Sequence, residues 1–476
     1  MNILKADILH QFPFVDDAML DTLLAEEIAD SPVKLVVLDD DPTGGQTVHD
    51  VNEYTDWSIA SIRSGFAEDN PFFLLLTNSR GMTEAETTRV HTEIAERVAA
   101  VSEETGIPYM FLSRSDSTLR GHYPLETEVL RKAAKGTGEH IDGEIICPFF
   151  KEGGRFTIHN VHYVLQEEEL IPAGQTEFAR DRSFGYHCSS LPEYIEEKTK
   201  GACPADKVTC ISLDTLRSAD IDAVETQLLA VRDFGKVCVN AVDYCDLKVF
   251  CIAVYRAMAK GKKFLFRTAA SGVKVMAGNS DRPLLTRREM VVRETPNGGV
   301  VVVGSHTNRT TRQLEELLKL DSVVPVEFDS NKVLEGDQAF SAEVDRCVAE
   351  EEKIIQSGKT VVCFTCRTLL TLENDTRKSA LLRSVKISDG VQGLVGRLSV
   401  TPAFIIAKGG ITSSDIAVRA LGVKKARVMG QIRPSVPVWQ TGEESRFPLT
   451  PYVIFPGNTG TEKTLREAVE ILAGND

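Results

Sequence analysis

Short apolar runs recur along the chain, and most of them end in polar or glycine-rich clusters. Before residue 297 these mainly apolar runs, three of which begin with Glu144, Lys236 or Lys263, cover residues 35–38, 72–76, 109–112, 144–147, 208–211, 236–239 and 263–266. Apolar runs of four or five residues are typical of strands that a parallel sheet buries on both faces. A polar stretch over residues 83–105 predicts a helix between two of the runs. This alternation of strands and helices predicts an α/β fold with mainly parallel sheets.

The same pattern divides the chain into segments. Apolar residues between Met19 and Ile28 recur at helical spacing, so we predict that residues 1–30 form a helical lead-in. Asn297, Gly298 and Gly299 precede a new valine run, after which three units of strand, glycine turn and helix follow. We therefore predict a first α/β domain over residues 31–296 and a second over residues 297–476.

Composition narrows the class of protein. The chain has 476 residues and a formal net charge of −15, which argues against a broad nucleic-acid-binding surface. No apolar run is long enough to cross a bilayer, and the start of the chain lacks a signal-peptide pattern. The ten cysteines are scattered, as expected for free thiols in a reducing compartment. We expect a cytoplasmic protein.

The first chemical feature is an acidic strand end. Asp39, Asp40 and Asp41 follow the apolar run 35–38, and Thr43 and two glycines come next. In open α/β sheets, ligands bind at the carboxyl ends of strands. Three adjacent carboxylates repel one another unless a cation, a basic side chain or a substrate hydroxyl lies beside them. The simpler alternative is that one acid caps a helix and the others are solvated.

Arginines follow the neighbouring strands. Arg80 and Arg114 end strands, and Arg120 and Arg155 lie in nearby loops. Arginine forms bidentate bonds to carboxylates and phosphates, so the set predicts a site for a small, oxygen-rich anion. The alternative is that some of them pair with residues 39–41 and only hold loops.

The second domain carries three glycine turns. They contain Gly304 with Ser305, Gly409 with Gly410, and Gly457. Glycine lets backbone N–H groups approach an anion, and a helix N-terminus favours negative charge. Together with Lys408 and Thr412, these turns predict a nucleotide-phosphate site. The chain lacks a GxxxxGK[ST] loop and a GxGxxG fingerprint.

An acidic cluster and a phosphate site are together what phosphoryl transfer needs. One carboxylate orients or deprotonates the attacking hydroxyl, and others can hold Mg²⁺. Lys408 and backbone N–H groups would offset charge on the transferred group.

These motifs resemble the four-carbon acid sugar kinases, a bacterial family first catalogued as a domain of unknown function. The matching segments are LDDDPTG (38–44), TNSR (77–80), SRSDSTLRG (113–121), GR (154–155), HYV (162–164), FARD (178–181), VGS (303–305), AKGGIT (407–412) and FPGN (455–458).

The resemblance implies a substrate-binding first domain and a nucleotide-binding second domain, with the active site in the cleft between them. It implies ATP-dependent phosphorylation, with Mg²⁺, of the terminal hydroxyl of acids such as erythronate, threonate or 3-oxo-tetronate. The residues assigned to catalysis are Asp41 and Asp40; those assigned to substrate are Arg80, Arg114, Ser115, Asp116, Ser117 and Arg155; those assigned to ATP are Ser305, Lys408, Gly409, Gly410, Ile411, Thr412, Gly457 and Asn458. We expect Arg80 and Arg114 to clamp the substrate carboxylate.

Some positions depart from the family pattern. Pro42 stands where many members carry Phe, Ile411 where they carry an acid, and Asn240 where an Asp is expected. These departures leave the substrate's identity open. Two other functions also stay open: a nucleotide-dependent ligase that activates the acid's carboxylate, and a non-catalytic sensor of sugar acid and ATP. The expected partners are these small molecules, without nucleic acid or membrane, and a homo-oligomer is left open.

Overall fold

A computed structural model describes residues 2–136, 138–368, 370, 372, 375, 377–457 and 459–474. The chain divides into two compact units. The first unit comprises Met1–Val48 and Asp56–Asp281, and the second comprises His49–Thr55 and Arg282–Asp476. The predicted boundary near residue 297 lies inside the second unit, and the sequence pattern did not assign residues 49–55 to that unit.

Most strands follow the apolar runs. The strands are β1 (Leu4–Lys5), β2 (Lys34–Asp39), β3 (Val51–Tyr54), β4 (Phe72–Leu76), β5 (Tyr109–Arg114), β6 (Gly143–Cys147), β7 (Arg155–Ile158), β8 (Val161–Gln166), β9 (Glu169–Pro172), β10 (Thr209–Ile211), β11 (Gly235–Val239), β12 (Phe264–Thr268), β13 (Val300–Val303), β14 (Val323–Phe328), β15 (Thr360–Thr365), β16 (Ile405–Lys408), β17 (Lys425–Arg433), β18 (Val436–Thr441) and β19 (Pro451–Phe455).

Helices connect most of these strands. They are α1 (Asp17–Asp30), α2 (Ile59–Phe66), α3 (Glu84–Thr105), α4 (Leu125–Gly136), α5 (Leu191–Lys198), α6 (Leu213–Arg217), α7 (Ile221–Ala230), α8 (Tyr244–Ala259), α9 (Ala270–Met276), α10 (Arg287–Met290), α11 (Asn308–Leu317), α12 (Asp337–Gln356), α13 (Arg377–Gly396), α14 (Gly410–Asp415) and α15 (Thr464–Ala473).

The first unit is built on a parallel sheet. Its strands lie in the order β10-β11-β6-β12-β5-β2-β4, and every neighbouring pair is parallel. All residues of β2, β4, β6 and β12 are buried, as expected for strands covered on both faces. A smaller antiparallel sheet, β1-β9-β8-β7, combines the strand near the start of the chain with three consecutive strands between residues 155 and 172.

The second unit combines parallel and antiparallel pairing. Strands β14, β15, β13, β16 and β19 are parallel neighbours, and β18, β17 and β3 continue the sheet antiparallel. Strand β3 pairs with the start of β17, where Val51 lies opposite Val428. A four-residue strand whose partner lies so far along the chain leaves no local signal in the sequence.

The helix that follows β4 shows how the local sequence sets an element's limits. Thr83 and Glu86 form a capping box at the start of α3, and Gly106 ends it in the left-handed conformation. The prediction of a helix over residues 83–105 is confirmed. The two-domain α/β fold with mainly parallel sheets flanked by helices is likewise confirmed. Among the described residues, none of the helices combines the length and the apolar character needed to span a bilayer.

Candidate functional site

The acidic strand end of the first unit is positioned by strand register. Strand β2 lies between β4 and β5, and Asp39 is the register partner of Leu76 on one side and of Arg114 on the other. The chain therefore leaves the sheet at Asp40 and Asp41 beside the residues that follow β4 and β5. Because all these strands are parallel, their carboxyl ends meet at one edge.

Two arginines are paired with the three aspartates. The Arg114 Nη1 atom lies 3.0 Å from Asp39 Oδ1, 3.3 Å from Asp40 Oδ1 and 3.4 Å from Asp41 Oδ1. Arg80 forms a bidentate pair with Asp40, at 2.7 Å and 3.1 Å, and its Nη1 lies 2.6 Å from Asp41 Oδ2. The structure brings these five side chains together. It also shows that Arg80 and Arg114, expected to clamp a substrate carboxylate, already have carboxylate partners.

A tight turn closes over the cluster. The Thr43 N–H donates to Asp41 Oδ1 at 2.8 Å, and the Thr43 hydroxyl donates to the same oxygen. A Cβ atom on Gly44 would lie 1.3 Å from Asp39 Oδ2. Only glycine fits there while Asp39 keeps its place, which gives a physical reason for the glycine that follows Thr43.

The environment shifts the pKa values of the three aspartates in different directions. Burial raises the pKa of Asp39 to about 8, with repulsion from Asp41 and Asp40 in the same direction and Arg114 against it. Burial also raises the pKa of Asp40, against the opposing effect of Arg80. At Asp41 burial is outweighed by Arg80, Arg114 and the Thr43 hydrogen bonds, so its pKa is lowered. Asp41 is also the most exposed, at 19% of its side chain against 4% for Asp40 and 0% for Asp39.

The loop after β5 adds a further carboxylate. Asp116 accepts a hydrogen bond from Arg120 Nε at 2.8 Å, and its Oδ1 lies 3.9 Å from Arg80 Nη1. Burial opposes ionisation of Asp116, but Arg80 and Arg120 outweigh it and lower its pKa. The neighbouring Ser115 is buried with no hydrogen-bond partner for its hydroxyl in the described structure, and Ser117 is partly exposed. These groups are suited to hydroxyl recognition.

Four buried side chains hold this loop in place through consecutive carbonyls. His162 Nε2 bonds the Ser117 carbonyl at 2.8 Å, while its Nδ1 lies 3.0 Å from Thr157 Oγ1. The next three carbonyls accept from Tyr186 (2.6 Å), Tyr194 (2.8 Å) and Arg267 (3.0 Å).

These supporting residues were missed at the sequence level. Arg267 could have been found, because it follows the apolar run 263–266 at the end of a strand; the two tyrosines carry no such signal. Burial lowers the pKa of His162 to about 4, so its ring is neutral and both nitrogens are engaged within the protein.

In the second unit, register brings the three glycine turns together. Val303 of β13 is the partner of Lys408 of β16, which is the partner of Phe455 of β19. The turns that follow these strands are consequently adjacent. A Cβ on Gly409 would lie 3.4 Å from Ser305 Cβ, and one on Gly457 would lie 3.7 Å from Ser305 Oγ.

Helix α14 starts within this cluster. Gly409 has φ +125°, which favours glycine, and its carbonyl accepts the N–H of Ser413 at 2.8 Å. The N–H groups of residues 410–412 precede that hydrogen bond and have no intrahelical partner. Ile411 is 75% exposed, so its contribution to a ligand would come from its backbone. Thr412 packs against Gly304, where a Cβ would lie 2.2 Å from its Oγ1.

Lys408 is fully buried. Its Nζ donates to the carbonyls of Pro456 and Gly457, the latter at 3.1 Å, and lies 4.4 Å from the centre of the Phe455 ring. Burial, with a smaller effect of Arg309, lowers its pKa to about 7. In this structure Lys408 holds the Gly457 turn, and its contact with ATP stays a prediction.

Other side chains fix the turns. The Thr310 hydroxyl lies 3.1 Å from Ser305 Oγ and 3.3 Å from the Gly457 carbonyl, and its single proton can be donated to either. Arg367 Nη2 donates to the Ser305 carbonyl at 2.6 Å. Both were missed at the sequence level, since neither lies in a glycine turn. Asn458, assigned to ATP, lies outside the described residues.

The described residues do not form a preformed metal-binding site. Within the ranges the structure describes, no three or more His, Cys, Asp or Glu side chains are grouped so as to hold one. Mg²⁺ usually keeps several waters and binds through one or two carboxylates together with substrate phosphates. Asp41, ionised and partly exposed, fits such a single carboxylate ligand.

Two family models match successive parts of the chain. Residues 35–276, more than half of the chain, match the family model for a sugar-binding N-terminal domain. Residues 300–465 match the model for a nucleotide-binding C-terminal domain. No curated protein matches the chain.

Solved structures share the fold. A protein of Salmonella typhimurium LT2, provisionally named a tRNA synthase, is 16% identical with a TM-score of 0.67, over 91% of this chain and 98% of its own. A Haemophilus influenzae protein of the DUF1537 family is 17% identical with a TM-score of 0.60, over 92% of this chain and 100% of its own.

The chain thus has a sugar-binding and a nucleotide-binding domain, on which its acidic cluster and its glycine turns respectively lie. With the two family models matched in this order, the chain belongs to the DUF1537 family, the four-carbon acid sugar kinase family that its motifs resemble.

Proposed function

We propose that the protein is an ATP-dependent kinase that phosphorylates the terminal hydroxyl of a four-carbon sugar acid. The observation that carries the proposal is the ionised, partly exposed carboxylate of Asp41, fixed beside two guanidinium groups. A hydroxyl that attacks a phosphoryl group needs a fixed acceptor for its hydrogen bond, and Asp41 supplies one.

Asp41 would act mainly by position. The hydroxyl oxygen forms a bond to the γ-phosphorus while the bond from that phosphorus to the β,γ-bridging oxygen breaks, releasing ADP. The hydroxyl proton passes to Asp41. A low pKa makes Asp41 a weak base, which suits a reaction whose catalysis rests on alignment and electrostatics. Asp40, bonded at both oxygens by Arg80, holds that arginine beside Asp41.

The second unit supplies groups for the nucleotide phosphates. The free N–H groups at the start of α14 and the Thr412 hydroxyl lie beside the Ser305 and Gly457 turns. A phosphate near Lys408 would favour its charged form, because an anion stabilises an ammonium group. Mg²⁺, when bound with ATP, would neutralise phosphate charge, with Asp41 as its protein carboxylate.

The test is a kinase assay over a panel of substrates. Purified protein with Mg²⁺ and ATP is offered four-carbon aldonates, their 3-oxo forms and neutral four-carbon alditols, and ADP release is followed. We expect turnover with at least one acid that far exceeds the rate without substrate. Absence of turnover across the whole panel of acids would contradict the proposal.

A further inference from the structure

The arginines near the acidic cluster fall into two groups. Arg80 and Arg114 pair with the three aspartates, and Arg120 pairs with Asp116 at 2.8 Å. Arg267 is buried and donates to the Arg120 carbonyl. Three of these guanidinium groups thus already face protein carboxylates, and the fourth, that of Arg267, is 2% exposed and bonded to a backbone carbonyl.

Arg155 differs from them. It begins β7, is only partly buried, and forms no ion pair with any carboxylate in the part of the chain that the structure describes. Its Nε is buried without a hydrogen-bond partner, as are those of Arg114 and Arg267, but only Arg155 among these three is more than 5% exposed. The outer part of the guanidinium group therefore remains available to a ligand. Burial lowers the pKa of Arg155 and Asp116 offsets this only in part, so an anion there would stabilise the charged form.

An aromatic ring fixes the position of this group. The Arg155 guanidinium lies 5.7 Å from the centre of the Phe178 ring, and the Arg120 guanidinium lies 5.1 Å from the same ring. Stacking on an aromatic face restricts a guanidinium group and leaves its edge free for bidentate bonds. Arg155 is thus held beside the loop that carries Asp116.

We propose that Arg155 is the residue that binds the substrate's carboxylate and so makes the site selective for acids. This inference rests on the proposed function. Asp116 connects the two ends of the site, because it bonds Arg120 at one oxygen and faces Arg80 with the other. An acid held at Arg155 has its hydroxyls along Asp116 and Ser117, with the terminal hydroxyl at Asp41. Arg80 and Arg114 then keep the aspartates in place instead of clamping the carboxylate.

The test compares Arg155→Gln and Arg155→Lys with Arg131→Gln. Arg131 is a matched control, because it also stacks on a phenylalanine (Phe234, 4.6 Å) and lies on α4 in the same unit. We expect Arg155→Gln to raise the KM for an aldonate about 10- to 100-fold, as for loss of charged hydrogen bonds. The KM for ATP and the affinity for the neutral alditol should change little. Arg155→Lys should be intermediate, and Arg131→Gln should match the wild type.

Calorimetric titration of the aldonate into nucleotide-free protein separates this inference from the kinase proposal. If the wild type binds the acid but does not turn it over, the kinase proposal fails. Weaker binding of the acid by Arg155→Gln would still support Arg155 as the residue that binds the carboxylate. If Arg155→Gln does not fold, Arg155→Lys carries the test. The inference is overturned if both variants keep wild-type affinity for the acid, if they weaken acid and alditol equally, or if the wild type binds no aldonate.

Discussion

Gly44→Ala tests whether the turn after the acidic strand is as tight as the structure shows. The new methyl group would lie 1.3 Å from Asp39 Oδ2 and 1.9 Å from its Cγ, so the carboxyl group must move. Asp39 is fully buried and cannot swing into solvent. Its displacement breaks the contact of 3.0 Å with Arg114, and losing a buried hydrogen bond to a charged group costs about 1.5–3 kcal/mol.

For a unit of this size, such a loss lowers the melting temperature by about 3–12 °C. The assay is thermal unfolding of the whole chain, followed by calorimetry so that each unit's transition is seen. Gly136→Ala is the control, because no atom lies within 4 Å of the added Cβ, and it should change stability by no more than about 1 kcal/mol.

Whether the clash with Asp39 causes the loss of stability can be tested by making Gly44→Ala in a second protein, the Asp39→Ala variant. In Asp39→Ala protein the clashing carboxyl group is gone, so adding Gly44→Ala should cost much less than it does in the wild type. A difference above about 1 kcal/mol between the two backgrounds marks a direct coupling. A cost below about 1 kcal/mol in the wild type, or an equal cost in both backgrounds, would refute the reasoning.

Three further predictions concern single side chains. Asp41→Asn should lower kcat by about 100- to 10,000-fold with an unchanged circular dichroism spectrum, and a wild-type kcat would make Asp41 structural. Asp39→Asn should remove one contribution to the pH dependence of stability. Between pH 3.8, the ordinary pKa, and about pH 8, Asp39 keeps its proton in the folded state but has lost it in the unfolded chain. The free energy of unfolding of the wild type therefore falls as the pH rises through that window. Denaturation at several pH values measures it, and an equal slope in the variant would count against the raised pKa. Lys408→Met should remove the opposite slope in the second unit. Lys408 is neutral when folded above about pH 7 but charged in the unfolded chain up to 10.5, so wild-type stability rises between these values. A slope unchanged by Lys408→Met would show that this amine does not titrate there.

The sequence predicts which residues end the strands, because an apolar run followed by polar residues is a local signal. Parallel strands place their carboxyl ends at one edge, so the proximity of residues 39–41 to Arg80 and Arg114 could be predicted as well. The same reasoning brings the turns at Ser305, Gly409 and Gly457 together. The structure then adds the register that makes each contact specific.

The partners of individual side chains could not be predicted. Four arginines at one edge look alike in sequence, and only packing shows that Arg80 and Arg114 are paired while Arg155 keeps an available edge. Lys408 looked like a charge facing a ligand, yet it is buried against Phe455. Such outcomes depend on contacts between residues far apart in the chain, as does the pairing of β3 with β17.

The central claim is transfer of a phosphoryl group from ATP to the terminal hydroxyl of a sugar acid. The most direct measurement is phosphorus and carbon NMR of the product formed from ATP and a four-carbon aldonate. We expect ADP in equal amount and a phosphate ester whose coupling places phosphorus on the carbon that carries the terminal hydroxyl. Release of AMP, or an acyl phosphate on the carboxylate, would contradict it and indicate a ligase.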